Sequence, residues 1–129
     1  QRHHKHSQYL IQNADLPGLS DRERMVIGCI ARFHRRSAPS LTHEGMEGLT
    51  AQEARLVRKC ATLLRVADSL DRSHRQPISK LAIRVGGPKV AVRLSSRTPI
   101  DLELWDAEHE LSLFREVFGK SLVLQHGGR

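Results

Sequence analysis

The chain has 129 residues, enough for one domain with a real core or for two small lobes. Its 21 Lys/Arg against 14 Asp/Glu give a formal charge of +7, and with 39% hydrophobic and 27% charged residues it reads as a soluble globular protein whose partners are anionic. Cys29 and Cys60 stand 31 positions apart, which excludes CxxC redox chemistry and a zinc knuckle and predicts buried thiols in a reducing compartment, the cytoplasm.

The first half reads helical. His4 to Asn13 is a helix with Tyr9, Leu10 and Ile11 as its apolar part, and the breakers of Asp15-Leu-Pro-Gly18 stop it. Gln1 in place of Met, with a helix already under way, predicts a chain that continues upstream. Ser20 with Glu23 forms a capping box for a second helix to about Arg36, whose Met25, Val26, Cys29, Ile30 and Phe33 share a face. Residues 37–49, with Pro39, Gly45 and Gly48, form a connector. A second capping box, Thr50 with Glu53, opens a helix to about Arg72 with a stripe of Leu56, Cys60, Leu63, Ala67 and Leu70, widened by Val57 and Leu64.

At Pro77 the period changes to two. Leu81, Ile83 and Val85 make one strand, Val90, Val92 and Leu94 another, and Gly86-Gly87-Pro88 joins them as a hairpin. Ile100, Leu102 and Leu104 predict a third strand. Asp106 caps a helix bearing Leu111, Phe114 and Phe118, Gly119 ends it, and Leu122 to Leu124 is a last strand. The fold class is α+β: a helical lobe over residues 1–76 and a small β-β-β-α-β lobe over 77–129. No membrane span or secretory leader is legible.

Three clusters mix imidazole with fixed charge: His3-His4-Lys5-His6, Arg32-Phe33-His34-Arg35-Arg36 and Arg72-Ser73-His74-Arg75. Residues 1–36 hold seven Lys/Arg against three Asp/Glu, so the excess charge lies where two of the clusters are. His3 and His6 have the spacing for two metal ligands on one helix, but residues 1–14 offer no carboxylate to complete a hard-metal site. Asp68 and Asp71 are the nearest candidates from elsewhere. Anion binding needs nothing more, because Arg matches phosphate bidentately, Lys supplies a point charge and His donates. Arg58, Arg65 and Arg72 share a face of the long helix, which reads first as a solvated strip paired with Asp68.

Four segments in order, His4-Lys-His-Ser-Gln-Tyr-Leu-Ile-Gln-Asn13, Asp15-Leu-Pro-Gly-Leu-Ser-Asp-Arg-Glu-Arg24, Ile30-Ala-Arg-Phe-His-Arg-Arg36 and Leu64-Arg-Val-Ala-Asp-Ser-Leu-Asp-Arg-Ser-His-Arg75, resemble the carboxy-terminal region of the exopolyphosphatase and guanosine pentaphosphate phosphatase (Ppx/GppA) family. The likeness is dense to about residue 76 and architectural beyond it. It implies an HD-like helical lobe followed by a small α+β lobe, a homodimer, and a partner that is inorganic polyphosphate or guanosine pentaphosphate. It also implies actin-like amino-terminal lobes, absent from this chain, that carry the catalytic carboxylate and a divalent metal such as Mg. Carried over by position, His4, Lys5, His6, Arg32, His34, Arg35 and Arg36 line the polyanion path, and Arg72 and Arg75 extend it.

No catalytic residue and no metal ligand is expected in the chain itself. An HD phosphohydrolase needs a His-Asp dipeptide, and none occurs, although Asp68 in Val-Ala-Asp-Ser-Leu is placed like the later Asp of that pattern. Part of a phosphoanhydride hydrolase that is inert alone is therefore the leading expectation. A metal-dependent HD-type phosphohydrolase with upstream ligands is one alternative. A basic nucleic-acid-binding module is another, with little support, since only Tyr9 and Phe33 among the aromatics adjoin the clusters.

Overall fold

The computed structural model describes residues 3–34 and 46–127, with side chains from residue 6. Among these are five helices and three strands: α1 His3–Asn13, α2 Asp21–Phe33, α3 Ala51–Leu70, β1 Ile78–Gly86, β2 Lys89–Ser96, α4 Asp101–Glu108, α5 Leu111–Phe118 and β3 Ser121–His126. The fold is α+β, as the change of period at Pro77 predicts. Two compact units, Gln1–Leu64 and Arg65–Arg129, divide the chain inside α3.

In the first unit both capping boxes form. Ser20 Oγ accepts from the Glu23 N–H at 3.1 Å while Glu23 Oε1 accepts from the Ser20 N–H at 2.8 Å, and Thr50 and Glu53 repeat the exchange at 3.1 and 2.9 Å. Glu53 also accepts from Arg22, with Arg22 Nε 3.2 Å from Oε2. That hydrogen bond, with the Thr50 contacts, holds the Glu53 carboxyl below its usual range. The core is Val26, Cys29, Phe33, Met46, Ala54, Val57 and Ala61.

Two expected faces are rotated. In α3 the buried side of this unit is Ala54, Val57, Ala61 and Thr62, while Leu56 and Leu63 of the expected stripe stand exposed. Val26, Cys29 and Phe33 of α2 share a core with Ala54, Val57 and Ala61 of α3, so tertiary packing sets the face and not the sum of hydrophobicity. In α1, among the described side chains, Tyr9 and Leu10 are exposed and the buried residue is Gln8.

The second unit is a three-stranded sheet in the order β1-β2-β3, with β1 antiparallel and β3 parallel to β2. The hairpin closes at Gly86 opposite Lys89, and Gly87 takes a φ of 56° that a side chain would resist. A parallel partner needs a long crossover, which α4 and α5 supply. The expected strand over 100–104 is accordingly a helix. Ile100, Glu103 and Ala107 are buried at helical spacing, and Asp101 and Glu103 in the first turn suit the positive end of the helix. Asp106 lies inside α4 instead of capping the next helix, whereas Gly119 does end α5, in the left-handed conformation at φ 70°.

Val92, Leu94, Ile100, Phe114 and Leu122 form this unit's core, with Val66 and Leu70 of α3 packed against it. Arg65 Nε donates to Glu110 Oε1 at 2.7 Å, and both side chains are mostly buried, so Arg65 is an internal tie and not part of a solvated strip. Leu81, Ile83 and Val85 share the core face of the sheet with their partners Leu94, Val92 and Val90, yet stay 51%, 60% and 65% exposed, because the helices do not reach the edge strand. Leu94→Ala should therefore lower unfolding stability by about 2–5 kcal/mol. Ile83→Ala in the isolated chain should change it by roughly 0.5 kcal/mol or less, and urea unfolding of both variants measures the contrast.

Candidate functional site

One buried amide joins the two helices that carry the first two clusters. Gln8 reaches from α1 into the face of α2, donating from Nε2 to Cys29 Sγ at 3.5 Å and accepting at Oε1 from Arg32 at 3.0 Å. One turn on, Gln12 Nε2 donates to the Met25 carbonyl at 3.4 Å, and a Cβ on Gly28 would stand 2.8 Å from Gln12 Cγ. Moving from Gln12 back to Gln8 thus advances from Met25 to Arg32. The helices are antiparallel, and the first turn of α1 lies at the same end as the last turn of α2.

At that end the described groups have distinct roles. Arg32 is half-buried, bonded to Gln8 and stacked with its guanidinium carbon 5.2 Å from the centre of the Phe33 ring. His34 caps α2, its backbone N–H donating to the Ile30 carbonyl, while Nδ1 stands 2.7 Å from the Ala31 carbonyl. A carbonyl only accepts, so Nδ1 carries the proton and Nε2 is left as the acceptor or the site of a second proton. His6 is exposed. His4 and Lys5 lie on α1 with side chains outside the described set, and Arg35 and Arg36 lie outside the described residues.

The third cluster belongs to the second unit. Beyond α3 the chain reverses through His74 at φ 59° and Gln76 at φ 52°, left-handed values uncommon for residues other than glycine. Asp71 holds the reversal: its carbonyl accepts from the His74 N–H at 2.9 Å and its Oδ1 from the Gln76 N–H at 2.8 Å. Arg72 is directed toward Asp106, 4.0 Å away. Arg75, between the two left-handed residues, borders an open concavity of about 710 Å³ together with Ser79, Arg97, Thr98, Asp101 and Glu103. Sequence reasoning passed over Arg97; only the return of β2 toward the α3 turn brings it beside Arg75. Two arginines and three hydroxyls, with Ser73 the third, suit an anion, but two carboxylates share the wall.

Among the described residues no three His, Cys, Asp or Glu side chains converge to hold a metal ion, and no helix is long and apolar enough to cross a membrane. Asp68 is half-buried on α3. Burial pushes the Cys29 thiol up, with Arg32 and the Gln8 hydrogen bond opposing less strongly. The thiolate is the reactive form, so at pH 8 iodoacetamide should modify the half-buried Cys60 well before Cys29, with Cys29 catching up only as pH rises or the chain unfolds. Mass spectrometry of a timed alkylation reads both sites.

The geometry is that of a helix pair that gathers basic and imidazole groups at one end, followed by a small α+β unit. A family model described as Ppx/GppA phosphatase, domain III, matches residues 1–113, running through the helices, the β hairpin and α4 into the first turn of α5. With that match covering most of its length, the chain belongs to the Ppx/GppA phosphatase family.

Proposed function

We propose that this chain is the carboxy-terminal, non-catalytic region of an exopolyphosphatase or guanosine pentaphosphate phosphohydrolase, and that it holds inorganic polyphosphate. In this reading residues 1–76 are the helical lobe and 77–129 the small α+β lobe. The observation that carries it is the antiparallel Gln8 and Gln12 pairing, which draws His4, Lys5 and His6 toward the end of α2 that leads to Arg32, His34, Arg35 and Arg36. A polyanion there replaces water around groups that are costly to bury and cheap to leave at a surface. Arg72 and Arg75 serve the same substrate from the second unit. Catalysis, with its divalent metal, belongs to actin-like lobes outside this chain.

Surface for such lobes and for a second copy is present. Ile27 and Leu56 are exposed apolar residues lining a groove of about 380 Å³ in the first unit, and β1 offers an unpaired edge with Leu81, Ile83 and Val85 uncovered. Patches of this kind mark interaction sites in soluble proteins, which supports a homodimer. The two thiols suit a reducing compartment such as the cytoplasm.

Titrating long-chain and three-unit polyphosphate at two salt concentrations tests the reading. Long chains should bind at least about tenfold more tightly than short ones and lose that advantage steeply with salt, by counterion release. Equal affinity for both lengths would remove the extended grip.

A further inference from the structure

The open face of the sheet carries an arrangement that the helix pair does not explain. Side chains alternate along a strand, so with Val92 and Leu94 buried on one face, Lys80, Arg84, Lys89 and Arg93 stand on the other, and all four are exposed. The register fixes their order. Lys80 lies opposite Ser95, Ala82 opposite Arg93, Arg84 opposite Ala91 and Gly86 opposite Lys89. Arg93 is therefore the diagonal neighbour of both Lys80 and Arg84, and Lys89 of Arg84, each step being about 7–8 Å. The four make a zigzag of positive charge roughly 20 Å long. On β3 the same face continues with Ser121, Val123 and Gln125, none of them acidic.

No Asp or Glu occurs anywhere from residue 72 to residue 100, and among the described residues none of the four cations forms an ion pair. Lysine and arginine on an edge strand guard against edge-to-edge aggregation, which accounts for Lys80 and Arg84 on β1. It does not account for Lys89 and Arg93, which lie on the central strand. Four like charges at this spacing repel, and nothing within the face offsets it. The Arg93 side chain runs beside Gly127, where a Cβ would collide with it.

We propose that this face is a second contact track for an unbranched polyanion, inorganic polyphosphate, with Lys80, Arg93, Arg84 and Lys89 as successive phosphate contacts. The residues between the cations are Ala82, Ala91 and Val123, with no aromatic ring for a base to stack on, so charge is the only handle the face offers. A chain of phosphates without bases fits that handle. The track shares no residue with the helix-pair grip and takes from that reading only the identity of the chain it binds.

The 129-residue chain, its Arg84→Ser/Arg93→Ser variant and a His6→Ala/His34→Ala variant are titrated with long-chain polyphosphate, tripolyphosphate and single-stranded DNA at several salt concentrations. Circular dichroism checks that the exposed substitutions leave the fold intact. The sheet variant should bind long polyphosphate about tenfold more weakly and flatten the log K against log salt slope by roughly 1.4, two contacts at single-strand weight, with tripolyphosphate little changed. An unchanged affinity and slope overturns the track, and a loss confined to the histidine variant would do so while leaving the helix-pair reading in force. A loss confined to the sheet variant supports the track and removes the helix-pair residues. DNA that binds as tightly and competes for the same face overturns polyphosphate as the occupant, and so does an absence of polyphosphate binding.

Discussion

One helix serves two cores. Ala54, Val57 and Ala61 of α3 are buried in the first unit, and Val66 and Leu70 pack into the second. The residues that do so in the first unit are the smaller ones, which leaves Leu56 and Leu63 outside. Leu56 and Leu63 thereby join the exposed apolar surface that the chain retains.

Charge follows the same economy. Among the polar groups admitted to the interior, Gln8 lies between Cys29 and Arg32 in the first unit, and Arg65 is set against Glu110 in the second. Removing one member of such a buried pair strands the other. The remaining cations stay at the surface, and their distribution is uneven. Acidic residues of the second unit beyond Asp71 all lie on α4, α5 or the turn joining them, so the hairpin that forms the open sheet face is purely basic.

Much of this was legible from residue order. The two capping boxes, the change of period at Pro77, the Gly87 turn and the Gly119 stop are local, and local chemistry fixed them. The strand expected at Ile100, Leu102 and Leu104 failed because three alternating apolar residues also fit a helix, and only the parallel pairing of β3 with β2 demands a crossover there. The faces of α1 and α3 depend on which residues meet α2, which hydropathy does not encode. The basic ladder escaped a count of charge by segment, because it exists only when β1 and β2 are read together in register.

Phosphate chains are held through charge at the end of the helix pair, at the Arg72 and Arg75 turn and along the open sheet face, and leave the apolar face of β1 untouched. Backbone amide NMR shifts on addition of long-chain polyphosphate test this most directly. Perturbations should concentrate at His6 and His34, at Arg72 and Arg75, and at Lys80, Arg84, Lys89 and Arg93, with little change in the buried α5 residues Leu113 and Phe114. Shifts confined to the concavity beside Arg75 and Arg97, or none at all, would contradict it.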